Sequence, residues 1–280
     1  MKTHPEGISL HHAAEPGPSV LLFIGLHGDE AGEVEEPLRD LIGEILTRGT
    51  VRIARCFPDQ PHQRCVGPRI EDPNRAFPPK DTHKDAFAER QRLLMSLVKE
   101  AEIVIDFHRY HQSVGGPIAF PFCSWGVDIA QTMGISRTVL GLVDTVEGAL
   151  AMWAHREGRK TLVLEAGPKC MGEDTDHNVL VATHQLLRAL HMTSQVPTRE
   201  FRGQWPEGPS ILRCHGAVSA AGITPEQRRD LDLEPHLGPL SERVIGALGL
   251  PDNARLLMIN PDADPVAFAC LPESDLTPAS

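Results

Sequence analysis

Three short segments of this chain carry side chains that suit a catalytic metal site. They are H-G-D-E at residues 27–30, D-F-H at residues 106–108 and V-L-E-A-G at residues 163–167. The first two supply two histidines and a carboxylate, and a catalytic zinc ion has three such protein ligands and one open position. The third supplies a carboxylate that could take a proton from a water molecule. Together these residues predict a zinc hydrolase.

Each side chain has a role that its chemistry suits. His27 and Glu30 are three residues apart, so one tight turn can present both to an ion, and Gly28 between them permits a close approach or a positive φ. His108 completes the ligand set, with His111 as the alternative. Asp106 precedes His108 by two residues, which places it on the same side of a strand, where it could orient the imidazole. Glu165 would be the general base.

The three segments lie where strands are expected to end. Apolar runs at residues 19–25, 102–107 and 160–165 have the pattern of buried strands. Open α/β sheets bind ligands beyond the carboxyl ends of their strands. If these strands are parallel, the four candidate side chains gather at one edge of the sheet.

The rest of the chain predicts an α/β fold with a mixed, largely parallel sheet and helices on both faces. Further strands are expected at 51–57 and 117–122, and a long loop at 58–81. Pro37 either kinks the first helix or marks a later start. Prolines become frequent after Thr193, so we predict a catalytic domain at 1–195 and a smaller, β-rich or irregular domain at 196–280. The predicted helices cover residues 31–48, 83–100, 138–157 and 176–191.

Composition excludes several classes of protein. A hydrophobic content of 41% is that of a globular chain, and a net charge of −11 argues against a nucleic-acid partner. No apolar run is long enough to cross a membrane, and the first ten residues lack a secretory signal. The six cysteines include no C-x-x-C pair, which argues against a structural zinc ribbon or a disulfide framework. A cytoplasmic protein with reduced thiols is expected.

An arginine-rich stretch without lysine follows the first metal motif. Arginine suits bidentate recognition of carboxylate or phosphate, so the stretch indicates either an anionic substrate or a solvated basic face. Its members are Arg52, Arg55, Arg64, Arg69 and Arg75.

The motifs H-G-D-E, D-P-N-R-A-F-P, D-F-H and V-L-E-A-G, in this order, resemble those of the succinylglutamate desuccinylase/aspartoacylase family. That family belongs to the zinc carboxypeptidase superfamily, and its members remove an acyl group from an N-acyl amino acid with one zinc ion. The resemblance covers roughly residues 19–170. It implies a zinc-carboxypeptidase-like fold, zinc ligands at His27, Glu30 and His108, and a general base at Glu165.

The resemblance also implies a set of substrate-binding residues. Asn74 and Arg75 match the N-R pair that binds the substrate carboxylate. A further family arginine polarises the scissile carbonyl, and Arg69 is the nearest candidate, with Arg64 behind it. Another family arginine, upstream of the catalytic glutamate, has no clean match, and Arg156 or Arg159 would take its place.

The chain departs from the family pattern at several positions. Asp29 replaces the usual asparagine and adds a negative charge beside the metal, and Pro73 replaces the usual leucine. Tyr110 is the only tyrosine, so a substrate contact from a tyrosine of the C-terminal domain is absent. The region after residue 195 lacks the family's C-terminal pattern.

Three functions fit these observations. The leading hypothesis is a zinc amidohydrolase that binds one Zn²⁺ per chain and deacylates a small anionic N-acyl amino acid. A zinc carboxypeptidase would share the metal site but need an open groove, so whether residues 195–280 cover the site distinguishes the two. A protein that binds metal or ligand without turnover would have no need of Glu165. Nickel, cobalt or manganese suits the same ligands, and self-association into a homo-oligomer stays open.

Overall fold

The computed structural model describes most of the chain. Among the described residues, no helix combines the length and apolar character that crossing a bilayer requires. The described residues are 6–30, 32–58, 72–111, 115–142, 146–203, 205, 210–219, 221, 223–232, 237, 239–257 and 267–273.

One mixed sheet forms the centre of the molecule, and its described part has ten strands in the order β1-β3-β2-β4-β7-β5-β6-β8-β10-β9. Neighbours β3, β2, β4 and β7 are mutually parallel, as are β5, β6 and β8. Strand β5 is antiparallel to β7, and both edges of the sheet are antiparallel. The strands are β1 Ile8–His12, β2 Glu15–Ile24, β3 Arg48–Arg55, β4 Ile103–Tyr110, β5 Ile118–Pro121, β6 Arg137–Leu140, β7 Lys160–Pro168, β8 Ile211–Val218, β9 Arg255–Leu257 and β10 Ala267–Pro272.

Helices cover both faces of the parallel part of the sheet. Strand β2 shows why: Val20, Leu22 and Ile24 belong to a buried cluster on one face that includes residues of α1, α3 and α5, while Leu21 and Phe23 belong to a cluster on the other face that includes residues of α2 and α4. A strand that buries both sets of alternate side chains has a continuous apolar sequence, as β2 does. The helices are α1 Glu35–Ile45, α2 Ala86–Glu100, α3 Ser124–Thr132, α4 Leu150–Arg156, α5 Gly172–Ala189, α6 Pro225–Asp232 and α7 Glu242–Leu248.

Most of the predicted elements are present, with shifted ends. Helix α1 begins at Glu35, so Pro37 falls in its first turn, where a missing N–H is tolerated. Strands β4 and β7 continue to Tyr110 and Pro168. His108 and Glu165 therefore lie inside strands rather than at their last residue.

The predicted helix over residues 138–157 is wrong. Its first part is strand β6, and only its last third is helical, in α4. Gly141 and Gly148 have φ of 77° and 74°, a backbone conformation that breaks a right-handed helix. These two glycines were the available signal against a continuous helix.

The strands after residue 195 join the same sheet. Strand β8 pairs in parallel with β6, β10 pairs with β8, and β9 forms the edge beyond β10. The C-terminal region is thus β-rich and continuous with the central sheet through hydrogen bonds. The division into two domains at residue 195 stays a prediction.

Candidate metal centre

His27, Glu30 and His108 come together at the carboxyl ends of β2 and β4. Their ligand atoms lie within 4.8 Å of one another, and all three residues are buried. Nδ1 of His27 is 2.9 Å from one carboxylate oxygen of Glu30, and Nδ1 of His108 is 2.8 Å from the other. The three side chains could hold a metal ion, and their two imidazoles and one carboxylate are a ligand set that zinc accepts.

A short turn after β2 presents the first two ligands. Residues Gly28–Glu30 form one turn of 3-10 helix, and the backbone N–H of Glu30 donates to the carbonyl of His27 over 2.9 Å. Gly25, which precedes the turn, has a positive φ of 62°, and Gly28 does not, so the close approach that Gly28 also permits stays a prediction.

Carboxylates lie behind both histidines. Nε2 of His108 is 3.1 Å from Oδ2 of Asp106, so this carboxylate lies beside the imidazole, and the orienting role of Asp106 stays a prediction. Nε2 of His27 is 2.9 Å from Oδ1 of Asp72, a residue for which the sequence analysis expected no role. A carboxylate on the second nitrogen directs Nδ1 towards a metal, and this arrangement is common among metal-bound histidines. The donor set and its outer partners therefore fit a divalent cation.

The charges of the cluster shift the pKa of every member. Burial lowers the pKa of His27, but Glu30 and Asp72 outweigh burial and raise it. Burial also lowers the pKa of His108, yet Asp106 and Glu30 raise it well above its ordinary value. Burial raises the pKa of Glu30, but the two histidines hold it well below the usual range. The neighbouring carboxylates therefore favour the protonated form of both imidazoles.

Asp72 is held by its own turn as well as by His27. Its side chain accepts a hydrogen bond from the backbone N–H of Asn74 over 2.8 Å. Burial raises the pKa of Asp72, but the hydrogen bond from His27 and the charge of His27 dominate and lower it to about 2. Asp72 thus stays ionised and available to His27 over the physiological pH range.

Glu165 lies beside the cluster on the neighbouring strand. It is the register partner of His108 across the parallel pair β4–β7, so both side chains project from the same face of the sheet. Glu165 is 5% exposed. Burial and then the charge of Glu165 raise the pKa of Tyr110, whose hydroxyl donates to the carbonyl of Gly116 over 3.0 Å.

Helix α5 fixes the end of β7 that carries Glu165. The Asn178 side chain donates to the carbonyl of Ala166 over 2.9 Å, and the Thr175 hydroxyl donates to the carbonyl of Pro168 over 2.7 Å. Gly167 has φ of 150°, and a Cβ there would lie 2.9 Å from Oγ1 of Thr175. The glycine of V-L-E-A-G therefore lets α5 pack closely against this strand end.

A lysine that sequence reasoning missed also enters the site. Nζ of Lys169 is 2.5 Å from Oδ2 of Asp29 and 3.3 Å from Oε1 of Glu30. Nε2 of His111 is 3.5 Å from the same Nζ. His111 is thus next to Lys169, whereas His108 is the histidine grouped with His27 and Glu30.

Of the predicted substrate-binding residues before β4, the structure describes Asn74 and Arg75. Arg75 is exposed, and its guanidinium donates to the carbonyl of Asn74 over 2.7 Å. Oδ1 of Asn74 accepts a hydrogen bond over 3.1 Å from the backbone N–H of Leu150, which ties this turn to the start of α4. Arg64 and Arg69 lie outside the described residues.

The other arginines that the sequence singled out are Arg52, Arg55, Arg156 and Arg159. Arg159 donates to the carbonyl of Ala101, before β4 begins, and Arg156 is exposed at the last residue of α4. His108 is five residues further along β4 than its first residue, a distance of roughly 16 Å. Arg52 and Arg55 form ion pairs with Glu100 and Glu35. The backbone group that Arg159 contacts is therefore far from the candidate metal ligands, and a substrate contact by Arg156 stays a prediction.

Solved structures with the same architecture identify the fold. A succinylglutamate desuccinylase from Chromobacterium violaceum has a TM-score of 0.64 at 16% identity, and the match covers 95% of this chain and 89% of that one. A succinylglutamate desuccinylase/aspartoacylase from Rhodobacter sphaeroides has a TM-score of 0.59 at 19% identity, covering 76% and 68%. The chain has the succinylglutamate desuccinylase/aspartoacylase fold. No protein-family model and no curated protein matches it.

A more distant structure shares this desuccinylase/aspartoacylase fold. It is the cell shape determinant protein Csd4 from Helicobacter pylori with a bound tripeptide, with a TM-score of 0.53 at 16% identity. The match covers 70% of this chain and 57% of that one.

The region after residue 195 reaches the rim of the candidate site. The ring centroids of Trp205 and Tyr110 are 6.1 Å apart, and the Trp205 indole N–H donates to the carbonyl of Pro117 over 3.2 Å. The described strands β8 to β10 extend the sheet sideways, away from β4. Arg202 also lies near the end of β7, where its backbone exchanges hydrogen bonds with the Asn178 side chain.

Proposed function

We propose that the chain is a zinc-dependent amidohydrolase that removes the acyl group from a small anionic N-acyl amino acid. The observation that carries the proposal is the His27–Glu30–His108 cluster with Glu165 on the adjacent strand. The shared fold supports it, because the same architecture occurs in structures named as desuccinylases.

The cluster has the composition of a catalytic metal site. Two imidazoles and one carboxylate leave coordination positions open, and a bound zinc ion would act as a Lewis acid on a carbonyl oxygen and acidify a water molecule. Asp72 and Asp106 would hold the imidazoles in orientation through their second nitrogens.

Glu165 is the proposed general base. In an amide hydrolysis it would accept a proton from the attacking water and deliver that proton to the leaving nitrogen. Its burial beside His108 removes the carboxylate from bulk water, which favours proton transfer at the site over exchange with solvent.

Arg75 is the proposed contact for the substrate carboxylate. Its guanidinium is exposed at the turn that also carries Asp72, so the anion would bind next to a residue that supports the metal ligand His27. Asn74 would hold that turn through α4, and Arg69, with Arg64 as the alternative, stays the proposed residue that polarises the scissile carbonyl. A substrate with a free carboxylate suits these cations.

A peptide substrate is the second candidate. A structure with this fold contains a bound tripeptide, which favours keeping a zinc carboxypeptidase as the alternative. Among the described C-terminal residues, Trp205 packs beside Tyr110, and the backbone of Arg202 is bonded to Asn178 at the end of β7.

The test is amine release from a panel of N-acyl amino acids and short peptides, with zinc-loaded and chelator-treated protein in parallel. Zinc-dependent release from an acidic N-acyl amino acid is the expected result. Release from peptides alone would replace the proposal with the carboxypeptidase, and zinc binding with no release from any member of the panel would contradict both.

Glu165→Gln tests the mechanism in the same assay. This variant should bind zinc as the parent does and lose at least about 99% of turnover, because the amide cannot accept the proton. Glu100→Gln, at the opposite end of the sheet in an ion pair with Arg52, is the matched control and should keep full turnover. A Glu165→Gln enzyme with more than a few per cent of parental turnover would remove Glu165 from the mechanism.

A further inference from the structure

The ion pair of Lys169 and Asp29 touches the candidate metal centre. Nζ of Lys169 is 2.5 Å from Asp29 and 3.3 Å from Oε1 of Glu30, and the Lys169 side chain is only 15% exposed. Its position follows from the fold, because Lys169 directly follows β7 and its backbone N–H donates to the carbonyl of Tyr110 over 2.9 Å. The cation is therefore held beside the carboxylate ligand.

The charges of Asp29 and Lys169 cancel each other. The pair lies next to a site whose affinity for a metal ion depends on the surrounding charge. A divalent ion with Glu30 and two neutral imidazoles carries a net charge of one positive unit, and Lys169 with Asp29 adds none. Removing Asp29 leaves a cation against the metal ligand, whereas removing Lys169 leaves an anion. Both changes act in a partly buried region, where charges interact more strongly than in water.

We propose that Asp29 and Lys169 are positioning residues that act as one unit and set the affinity of the His27–Glu30–His108 centre for its metal. The inference rests on the proposed metal-dependent function. Lys169 also lies 3.3 Å from Oε1 of Glu30, the oxygen that faces His27, so the charge of the pair acts directly on a candidate ligand.

The proposal makes opposite predictions for the two single substitutions. Asp29→Asn should weaken zinc binding by about ten-fold or more, because the unpaired lysine repels the ion. Lys169→Met should bind zinc more tightly than the parent, because Asp29 then attracts the ion without compensation. The double variant should return to within about three-fold of the parent, which is the mark of a coupled pair.

The measurement is zinc affinity of metal-depleted, full-length protein, by competition with a chromophoric chelator at fixed pH and salt. Lys169→Arg keeps the cation and should stay within about three-fold of the parent. Glu226→Gln is the matched control, because Glu226 lies 2.5 Å from Arg243 in an ion pair between α6 and α7, outside the metal centre. It should leave zinc affinity unchanged.

The outcomes separate this inference from the proposed function. If both single substitutions weaken zinc binding, or if Asp29→Asn has the same effect with and without Lys169, the pair does not tune the centre by charge and the inference is overturned. If the parent protein itself binds no zinc, the proposed function falls and the inference with it. Zinc binding is read without turnover, so an unidentified substrate does not affect the result.

Discussion

At the scale of single residues, the candidate ligands and the position of Asp106 beside His108 could be predicted, whereas the positions of Asp72 and Lys169 could not. The motif at residues 27–30 and His108 identified the cluster because histidine and glutamate at strand ends have few other chemical uses together. Asp72 and Lys169 reach it from turns whose paths the local sequence does not reveal. Asp72 is 45 residues from His27 along the chain, and Lys169 is 140 residues from Asp29.

Asp72→Ala tests the support behind His27. Loss of the carboxylate should weaken zinc binding by about 10- to 100-fold, because the imidazole loses the partner that orients it. Chelator competition measures the change. Asp85→Ala is the control, since Asp85 caps α2 at Ala88 and should cost stability without changing zinc affinity.

The pH dependence of zinc binding follows from the raised pKa of both histidines. A raised pKa means that each imidazole keeps its proton to a higher pH in the metal-free protein, and zinc must displace those protons. Apparent zinc affinity should therefore rise with pH and continue to rise above pH 6.5, the ordinary histidine value. Competition titrations at three pH values between about 6 and 8.5 measure this trend. An affinity that is flat above about pH 6.5 would contradict it.

The raised pKa values of the two histidines make zinc affinity rise with pH, but they make the stability of the metal-free protein fall with pH. A histidine whose pKa is raised on folding contributes stability that is fully present below the unfolded pKa and is lost as pH rises through the folded pKa. The metal-free protein should thus lose stability with rising pH over the range in which the zinc-loaded protein gains it.

At the scale of elements, strands β2, β3, β4, β5 and β7 could be predicted from the sequence, whereas β1, β6 and the individual strands after residue 195 could not. The apolar runs of β2, β4 and β7 identify those strands from the sequence alone. Strand β8 alternates weakly between partly buried and exposed residues, so its local signal is weak. Its partner β10 is a short apolar run that lies about 50 residues later, so the sequence does not reveal their pairing. The four residues of β6 are too few for periodicity to separate strand from helix.

Asn178 joins three elements at the end of β7. Its side chain donates to the carbonyls of Ala166 and Arg202 and accepts from the N–H of Arg202, with distances of 2.9, 2.9 and 2.7 Å. Asn178→Ala should reduce the free energy of unfolding by about 3 kcal/mol, because it leaves a buried carbonyl without its donor. Urea denaturation measures this loss. Arg188→Ala, exposed in the last turn of α5, should change stability by less than about 0.5 kcal/mol.

At the scale of the whole molecule, the candidate metal centre connects parts of the chain that are far apart in sequence. A zinc ion at His27, Glu30 and His108 would bind the folded chain and not the unfolded one, so it should stabilise the fold. At a free zinc concentration 100 times the dissociation constant the gain is about 2.7 kcal/mol.

Thermal denaturation with and without zinc checks this expectation. The melting temperature of the parent should rise with zinc concentration and return to its starting value after chelation. His108→Ala removes one ligand and should abolish most of the zinc-dependent rise. An equal rise in both proteins would mean that zinc stabilises the chain elsewhere.

The adjacency of β2 and β4 also constrains the order of folding. In the chain, α1, β3 and α2 lie between these two strands, yet they are neighbours in the sheet. Pairing β2 with β4 closes a long loop, and the entropy cost of this closure precedes the contacts that stabilise the pair. Such pairings therefore form late. A fragment of the chain that ends before β4 lacks His108 and so cannot contain the complete candidate metal centre. During refolding, the ability to capture zinc should therefore appear only when β2 and β4 have paired, and its time course would report that long-range step.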